Sequence, residues 1–467
     1  MEDTKGATAP AVTVRATWRA LGAALGGNAL AAFPREAFEE EVVIHRLLGH
    51  RQIIFNRPEA IRHVLIENAG NYRRPAPTVR VLQPIFGGGL FLSAGAEWRR
   101  QRRMAAPAFA PRAVGILARH VAAAADSLVA ELTTRNGRPI DLVPVLQRLA
   151  LDIIGSAVFS LEMAHYAAPM RELILHYARH LGRPSLSDYV LPLAVPSPRD
   201  LARRRFRRRW TALVADIIAE RRRSGAAEHR DLFDLLCETD GSEGKASERL
   251  CDQVATIVVA GHETTAAALF WSLYLLSCNP GVQERIAAEA GRLDLGPEGA
   301  AAAVPYLVHT RAVVDESLRL YPPAFVIVRE AAAADVAGGV AVPAGALVLV
   351  APWTLHRHRR LWRDPETFDP SRFAPGAPPP EKFSYMPFGA GPRTCIGAPF
   401  ALTELVLILA VLARSFHIET AEPDRVRPKA LVTIQPENPP LFRLRCRAAP
   451  VQAAGSSVFH PPQIAAE

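Results

Sequence analysis

The sequence predicts a mainly α protein: one large helix-rich domain over residues 1–467 with a small β-rich subdomain, the ends at about 1–20 and 451–467 being flexible. Three observations carry that expectation. Apolar residues recur at helical spacing through 111–160, 199–223 and 248–278, and helices of that length need a large core. Strand-like runs are short and confined to 52–55, 325–350 and 431–445. No repeat or linker divides the chain, and 49% hydrophobic against 22% charged residues excludes wholesale disorder.

Taken in order, residues 35–47 read as a helix. Gln52-Ile53-Ile54-Phe55 reads as a strand, and Asn56-Arg57-Pro58 starts a helix carrying Ile61, Val64 and Leu65, with Pro58 in the first turn where its missing N–H costs little. Pro75, Pro77, Pro84 and Gly87-Gly88-Gly89 interrupt 72–90 so often that a long loop is expected there. Residues 97–103 open a helix capped from Ser93 that ends before Pro107. Trp98 and Arg102, four apart, share one face of it, which alone reads as a solvated basic surface. Asp141 caps a helix with Leu142, Val145, Leu146, Leu149, Ile153 and Ile154 at helical spacing.

Helices over about 170–181 and 199–223 follow, separated by Pro184, Pro192, Pro196 and Pro198; the arginines of the second read as a solvated face. Residues 248–278 are apolar nearly all round, as in a helix through the middle of a large domain. Inside it, Ala260-Gly261-His262-Glu263-Thr264-Thr265 weakens the ladder, so a bulge is expected, and its buried carboxylate demands a purpose or a partner. After an alanine-rich connector at 296–304, residues 306–320 are helical, with Glu316 and Arg319 three apart; alone, such a pair usually means a weak surface ion pair. Short strands are expected at 325–328, at 336–342 around Gly338-Gly339 and at 347–350, with a closing hairpin of 431–434 and 441–445.

The net charge of +9 comes from arginine, since the only lysines are Lys5, Lys245, Lys382 and Lys429. No zinc-finger, helix-turn-helix or RNA-binding signature accompanies it, so no nucleic-acid partner is expected. Five cysteines without a CxxC pair suit a reducing, cytoplasmic setting with no disulfide framework and no structural zinc. Residues 16–33 are diluted by Arg19 and Asn28 and preceded by Glu2 and Asp3, unlike a signal peptide. The apolar stretch 254–278 holds His262 and Glu263 near its centre, so it reads as a buried soluble helix, and no stable membrane anchor is expected.

Chemistry concentrates in Phe388-Gly389-Ala390-Gly391-Pro392-Arg393-Thr394-Cys395-Ile396-Gly397-Ala398, which runs into an apolar helix at 400–412. Three glycines permit tight turns and close approach to something bulky and flat. A thiol among backbone N–H groups beside a helix N-terminus is biased toward thiolate, a metal ligand. An isolated cysteine in a glycine turn is more often structural; the full pattern reverses that expectation. It resembles the haem-binding signature of the cytochrome P450 monooxygenases, Phe-Gly-x-Gly-x-Arg-x-Cys-x-Gly, filled at Phe388, Gly389, Gly391, Arg393, Cys395 and Gly397.

Further family motifs follow in family order, with the resemblance spanning roughly 50–446. It implies haem b with an axial thiolate from Cys395, and Trp98, Arg102, Arg329 and Arg393 at the haem propionates. Gly261 to Thr265 match Ala/Gly-Gly-x-Asp/Glu-Thr-Thr, which makes Glu263 and Thr264 the acid–alcohol pair that delivers protons during dioxygen activation. Glu316, Arg319 and Arg372 correspond to a structural ion-pair network, although Ser371 replaces the glutamate usual beside Arg372. Ala260, Phe325 and Val326 would face the substrate.

The implied activity is insertion of one oxygen atom from dioxygen into an apolar small molecule, fatty acid or terpenoid-like. Arg73, Arg74 and Arg80 are candidates for a substrate carboxylate or plain surface arginines. No flavin or iron–sulfur module is present in these residues, so electrons are expected from a ferredoxin or flavodoxin and its reductase, docking near Arg99, Arg100 and Arg103 on a monomer. The alternatives are a peroxide-driven haem-thiolate enzyme and a non-catalytic haem-binding sensor.

Overall fold

The computed structural model describes residues 13–16, 27–47, 50–110, 114–224, 231–240, 246–430 and 432–447; the tail expected at 451–467 lies outside these. The protein is mainly α. Its axis is the helix Glu248–Ser277, started by the Ser247 hydroxyl, which accepts the Leu250 N–H at 3.0 Å. Leu142–Phe159 crosses it, with Asp141 capping Val143 N–H at 2.9 Å as its sequence suggests. At the crossing a Cβ on Gly261 would lie 1.9 Å from Ile154 Cδ1, so the glycine leaves room for the Ile154 side chain against the axial helix. Ala398–Ser415 and Val114–Arg135 complete the main core, in which Leu269, Trp271, Leu407 and Val121 are buried together.

A second apolar cluster lies under a roof over the first half of the axial helix. Tyr177 from Ala167–His180 and Phe206 and Trp210 from Asp200–Arg223 pack with Val254 and Val258. The helices Leu142–Phe159, Glu248–Ser277 and Ala398–Ser415 are long and apolar enough to cross a membrane, yet each is mostly buried inside the protein. Lateral to the core, a six-stranded sheet runs in the order Thr13–Ala16, Val42–Leu47, His50–Phe55, Leu347–Val350, Ile327–Ala331, Tyr72–Arg73.

Several sequence expectations need correction. Residues 35–47 are not one helix: a 3-10 turn at Arg35–Phe38 gives way to the strand Val42–Leu47, because Val42, Val43 and Ile44 pair with Phe55, Ile54 and Ile53 and bury their branched side chains. Within the end expected to be flexible, Thr13–Ala16 adds a parallel strand to that hairpin. Residues 72–90 are not one loop. Ala76–Phe86 is helical, with Pro75 and Pro77 at its start where no N–H is missed and Pro84 in its last turn, and burial of Val81, Ile85 and Phe86 beneath the roof outweighs the broken bond.

The helix Gly95–Ala105 begins at Ala94 without a side-chain cap, since the Ser93 hydroxyl bonds Gln101 Oε1 instead at 2.8 Å. No bulge interrupts the axial helix; the Thr264 hydroxyl bonds back to Ala260 O at 2.5 Å while the α turns continue. The expected closing hairpin does not form. Ile434–Pro436 pairs with Pro428–Ala430 and Phe442–Cys446 pairs with Phe416–Thr420, the turn between them being stiffened by Pro439 and Pro440.

Candidate active site

The cysteine loop is folded on itself. Cys395 N–H bonds Phe388 O at 2.9 Å and Thr394 N–H bonds Gly391 O at 3.0 Å. Gly389 and Gly391 take φ of +72° and +73°, and a Cβ on Gly391 would stand 2.1 Å from Leu65 O. Thus Gly391 answers a close approach of the chain's own backbone. The Gly397 N–H bonds the Cys395 sulfur, which sits just ahead of the helix Ala398–Ser415.

Cys395 is accessible yet ringed by protein atoms, as a side chain on the floor of a cleft is. Burial raises its pKa, against the lowering by Gly397 N–H and Arg102. The thiolate bias expected from the loop is therefore not a property of the polypeptide alone; binding to a metal is what deprotonates a coordinating thiol.

Beside this loop the structure gathers arginines. Arg393 and Arg102 flank Trp98, their guanidinium carbons 4.5 and 5.7 Å from its ring centre. Arg102 donates to Thr394 O at 2.9 Å and Arg393 to Ser93 O at 2.7 Å, while Nη1 of Arg393 is buried without a partner. Arg329 donates to Val328 O at 2.9 Å, its one hydrogen-bond partner among the described residues. Arg74, outside the motif reading, joins them: it follows Arg73, which pairs with Glu330 on the strand that carries Arg329, and its guanidinium carbon lies 5.2 Å from the Phe91 ring centre. Burial and then the charges of Arg393 and Arg329 lower its pKa to about 9; burial, Arg329 and Arg102 lower that of Arg393 to about 10. Like charges gathered this closely are destabilising, so this cluster calls for an anion.

Opposite lies the middle of the axial helix. Ala260 is exposed and Gly261 and Thr264 half-buried, in a helix otherwise buried along most of its length, and this marks the cleft wall. Glu263 and Thr264, adjacent in sequence, face different ways: Glu263 is buried and accepts from the Thr433 hydroxyl at 3.0 Å, and Thr433 accepts from Gln435 at 2.9 Å. Burial raises the Glu263 pKa, opposed by Thr433. His262 is fully buried, which lowers its pKa to about 4, and both its ring nitrogens lack partners. Val326 is half-buried, but Phe325 sits within the main core.

The ion-pair network is present and larger than its motif. Arg319 grips Glu316 bidentately at 2.7 and 2.8 Å, both fully buried, and also donates to His356 O, Pro365 O and Thr367 O. Arg372 approaches Glu316 only to 3.6 Å. Sequence reasoning missed His356, whose Nε2 accepts Met386 N–H at 2.8 Å, so that Nδ1 carries the hydrogen toward Arg319 O at 3.2 Å. It ties the network to the residue two before Phe388. Glu404, nine residues after Cys395, is a second missed group: burial raises its pKa well above a carboxyl's usual value, and Thr265 is its hydrogen-bond partner.

The family model described as Cytochrome P450 matches residues 21–442. The chain belongs to the cytochrome P450 family. Among curated relatives this P450 is similar to cyclooctatin synthase of Streptomyces melanosporofaciens, with 32% identity over 83% of this chain and 85% of that one. It is also similar to cyclooctat-9-en-7-ol 5-monooxygenase of the same organism, with 35% identity over 83% and 84%. The haem domain of cytochrome P450DA superposes with a TM-score of 0.74 at 26% identity, covering 88% of this chain and 90% of that one.

The family implies a haem held by a cysteine thiolate, and the residues present fit it. An accessible sulfur among N–H donors, an orphaned guanidinium nitrogen on Arg393 and arginines without carboxylates are what a dianionic, thiolate-ligated macrocycle would satisfy. P450 monooxygenases take electrons from redox partner proteins. Of the three arginines expected at a docking face, Arg99 and Arg103 are exposed, whereas Arg100 is held by Glu97 at 2.9 Å.

Proposed function

We propose that this P450 is a haem-thiolate monooxygenase that oxygenates an apolar, terpenoid-like small molecule. Cys395 would hold the iron, with Arg102, Arg329, Arg393 and Trp98 at the propionates and Arg74 beside them. The observation that carries this reading is the arginine cluster next to Cys395: among the described residues no carboxylate pairs with Arg74, Arg329 or Arg393. When bound, the haem supplies the iron chemistry that activates dioxygen. The polypeptide supplies the rest. Thr264 offers a hydroxyl to the cleft, and Glu263 holds a proton more firmly than an ordinary carboxyl, with Gln435 and Thr433 lined up behind it as donors.

Two of the three arginines that could have met a fatty-acid carboxylate are engaged elsewhere, which supports the terpenoid-like reading. Arg73 is paired with Glu330 and Arg80 is buried against Pro192 O and Val195 O, while Arg74 belongs to the cluster with Arg393 and Arg329. The second of the Streptomyces relatives bears the name of a monooxygenase of cyclooctat-9-en-7-ol, in keeping with this class. Electrons would come from an acidic ferredoxin or flavodoxin steered by Arg99 and Arg103. The absorption spectrum of the reduced, carbon-monoxide-bound protein tests the ligation: a thiolate signature is expected, absent in Cys395→His, and a histidine-type spectrum in the unsubstituted protein would refute the proposal. Screening terpenoids and fatty acids for the spectral change of water displacement then tests the substrate class.

A further inference from the structure

An open cavity of about 760 Å³ lies between the helix Pro280–Ala290 and the turn that leads into Val308–Leu320, lined by none of the residues that form the cleft. One wall is a helix face. Arg285, Ala288 and Glu289 stand three and four residues apart on it, and Arg292 continues the row because Gly291 N–H still bonds Ala287 O at 2.9 Å. The helix is seated from behind, Ile286 and Ala290 being buried in the main core. The other wall is the turn, where Tyr306 is 45% and Val308 38% exposed.

A single carboxylate fixes the two walls to each other. Glu289 accepts His309 N–H at 2.7 Å, Thr310 N–H at 2.9 Å and the Thr310 hydroxyl at 2.7 Å, so its charge is consumed in holding the start of Val308–Leu320. The arginines beside it are free. Among the described residues no carboxylate pairs with Arg285 or Arg292, and the acids nearest in sequence are turned away, Glu284 to Arg447 and Asp294 to Gly296 N–H. A cavity of this size is ordinary for a small-molecule site, whose lining is mainly apolar with a few placed charges. Ala288, Leu293, Val308 and the Tyr306 ring supply the first, the two guanidiniums the second. Along the helix the arginines stand about 10 Å apart, a spacing that spans a diphosphate and its sugar while a flat ring lies on Tyr306.

We propose that this cavity binds an aromatic organophosphate of nucleoside diphosphate size, with Arg285 and Arg292 on the anionic oxygens and Tyr306 on the ring. The site stands independently of the reading of the cleft. A ligand in it would clamp Pro280–Ala290, which packs on the helix that follows Cys395, to the helix that carries Glu316 and Arg319.

The test is calorimetric titration of adenosine diphosphate into the full-length, haem-loaded protein, with inorganic phosphate and adenosine as separate titrants and the melting temperature measured alongside. The diphosphate should bind more tightly than either part and raise the melting temperature. Its affinity should fall by about tenfold or more in Arg285→Ala/Arg292→Ala and by about threefold or more in Tyr306→Ala, whereas Tyr306→Phe should bind as the parent does. All three variants should keep the parent's carbon-monoxide spectrum. No binding of adenosine diphosphate, binding no tighter than that of inorganic phosphate, or equal affinity in the double arginine variant would each overturn the proposal. Equal affinity together with slower reduction by an acidic ferredoxin would assign the arginines to a protein partner instead.

Discussion

The Arg393 guanidinium lies over the Trp98 indole, 4.5 Å from its centre, and turns one nitrogen to Ser93 O while leaving the other buried and unpaired. An arginine held this firmly by a ring and a carbonyl, yet unsatisfied and beside other cations, is arranged for an anion that completes it.

Arg393→Ala should therefore lower haem retention on the order of tenfold or more, since a charge-assisted bond to a propionate disappears. Trp98→Ala, which removes the ring but not the charge, should cost less. The haem-to-protein absorbance ratio after gel filtration reads this directly, and equal retention in both variants and the parent would contradict it.

Glu263 is joined to Thr433, which lies 170 residues further on, just before the strand Ile434–Pro436. Thr433 opposes the upward push of burial on the carboxyl, so Thr433→Val should raise the apparent pKa of proton delivery and move the alkaline limb of the pH–rate profile upward. Glu263→Gln should remove that limb. A Thr433→Val profile that coincides with the parent's would show that Glu263 carries no rate-limiting proton.

Within the ion-pair network the two arginines are unequal. Arg319→Ala strands a fully buried Glu316 carboxylate and should destabilise the protein by about 3–5 kcal/mol. Arg372→Ala removes a 3.6 Å contact at a partly exposed side chain and should cost less than about 1 kcal/mol. Denaturant unfolding of the two variants side by side decides it.

Gly391 and Gly397 occupy equivalent-looking motif positions but carry different loads. Gly391→Ala meets both a positive φ and Leu65 O at 2.1 Å, so it should lose several kcal/mol or fail to accumulate. A Cβ on Gly397 finds ordinary contacts with Phe109 and lies 4.0 Å from the sulfur, so Gly397→Ala should fold normally and act only at Cys395. Melting temperature together with the carbon-monoxide spectrum separates the two effects.

The long helices, the Asp141 cap and the cysteine loop were legible in the sequence because periodicity and spacing are local signals. Ala76–Phe86 was not, because what holds that helix is burial under a roof 96 and 125 residues further along the chain: Tyr177 hydroxyl bonds Val81 O and Trp210 Nε1 bonds Ile85 O. The ladder partners of Ile434 and Phe442, Ala430 and Thr420, both precede them and lie outside the runs that read as strands, so the apparent hairpin of 431–434 and 441–445 misled. At the site, the motif residues could be named in advance, but Thr433, His356 and Glu404 could not, and Arg74 was named only as a candidate for a substrate carboxylate or as a surface arginine. Arg74 gains its place at the site only through its proximity to Arg393 and Arg329, and His356 only through its place between Arg319 and Met386.

His356 also sets a pH dependence whose sign is fixed. Burial, then the charge of Arg319, lowers its folded pKa to about 3, and burial lowers that of His262 to about 4, against an ordinary value of 6.5. Between those values the unfolded chain binds protons that the folded chain refuses, so stability is fully present above pH 6.5 and is lost as pH falls, at up to about 1.4 kcal/mol per pH unit for each histidine. Glu263, Glu316 and Glu404, with raised values, act in the opposite sense, losing stability as pH rises through their folded pKa. A single substitution isolates the histidine: His356→Gln keeps an acceptor for Met386 N–H and a donor toward Arg319 O but cannot take up the proton. Its unfolding free energy should fall less steeply than the parent's between pH 6.5 and 4. Parallel curves for the two proteins would show that His356 does not resist protonation in the fold.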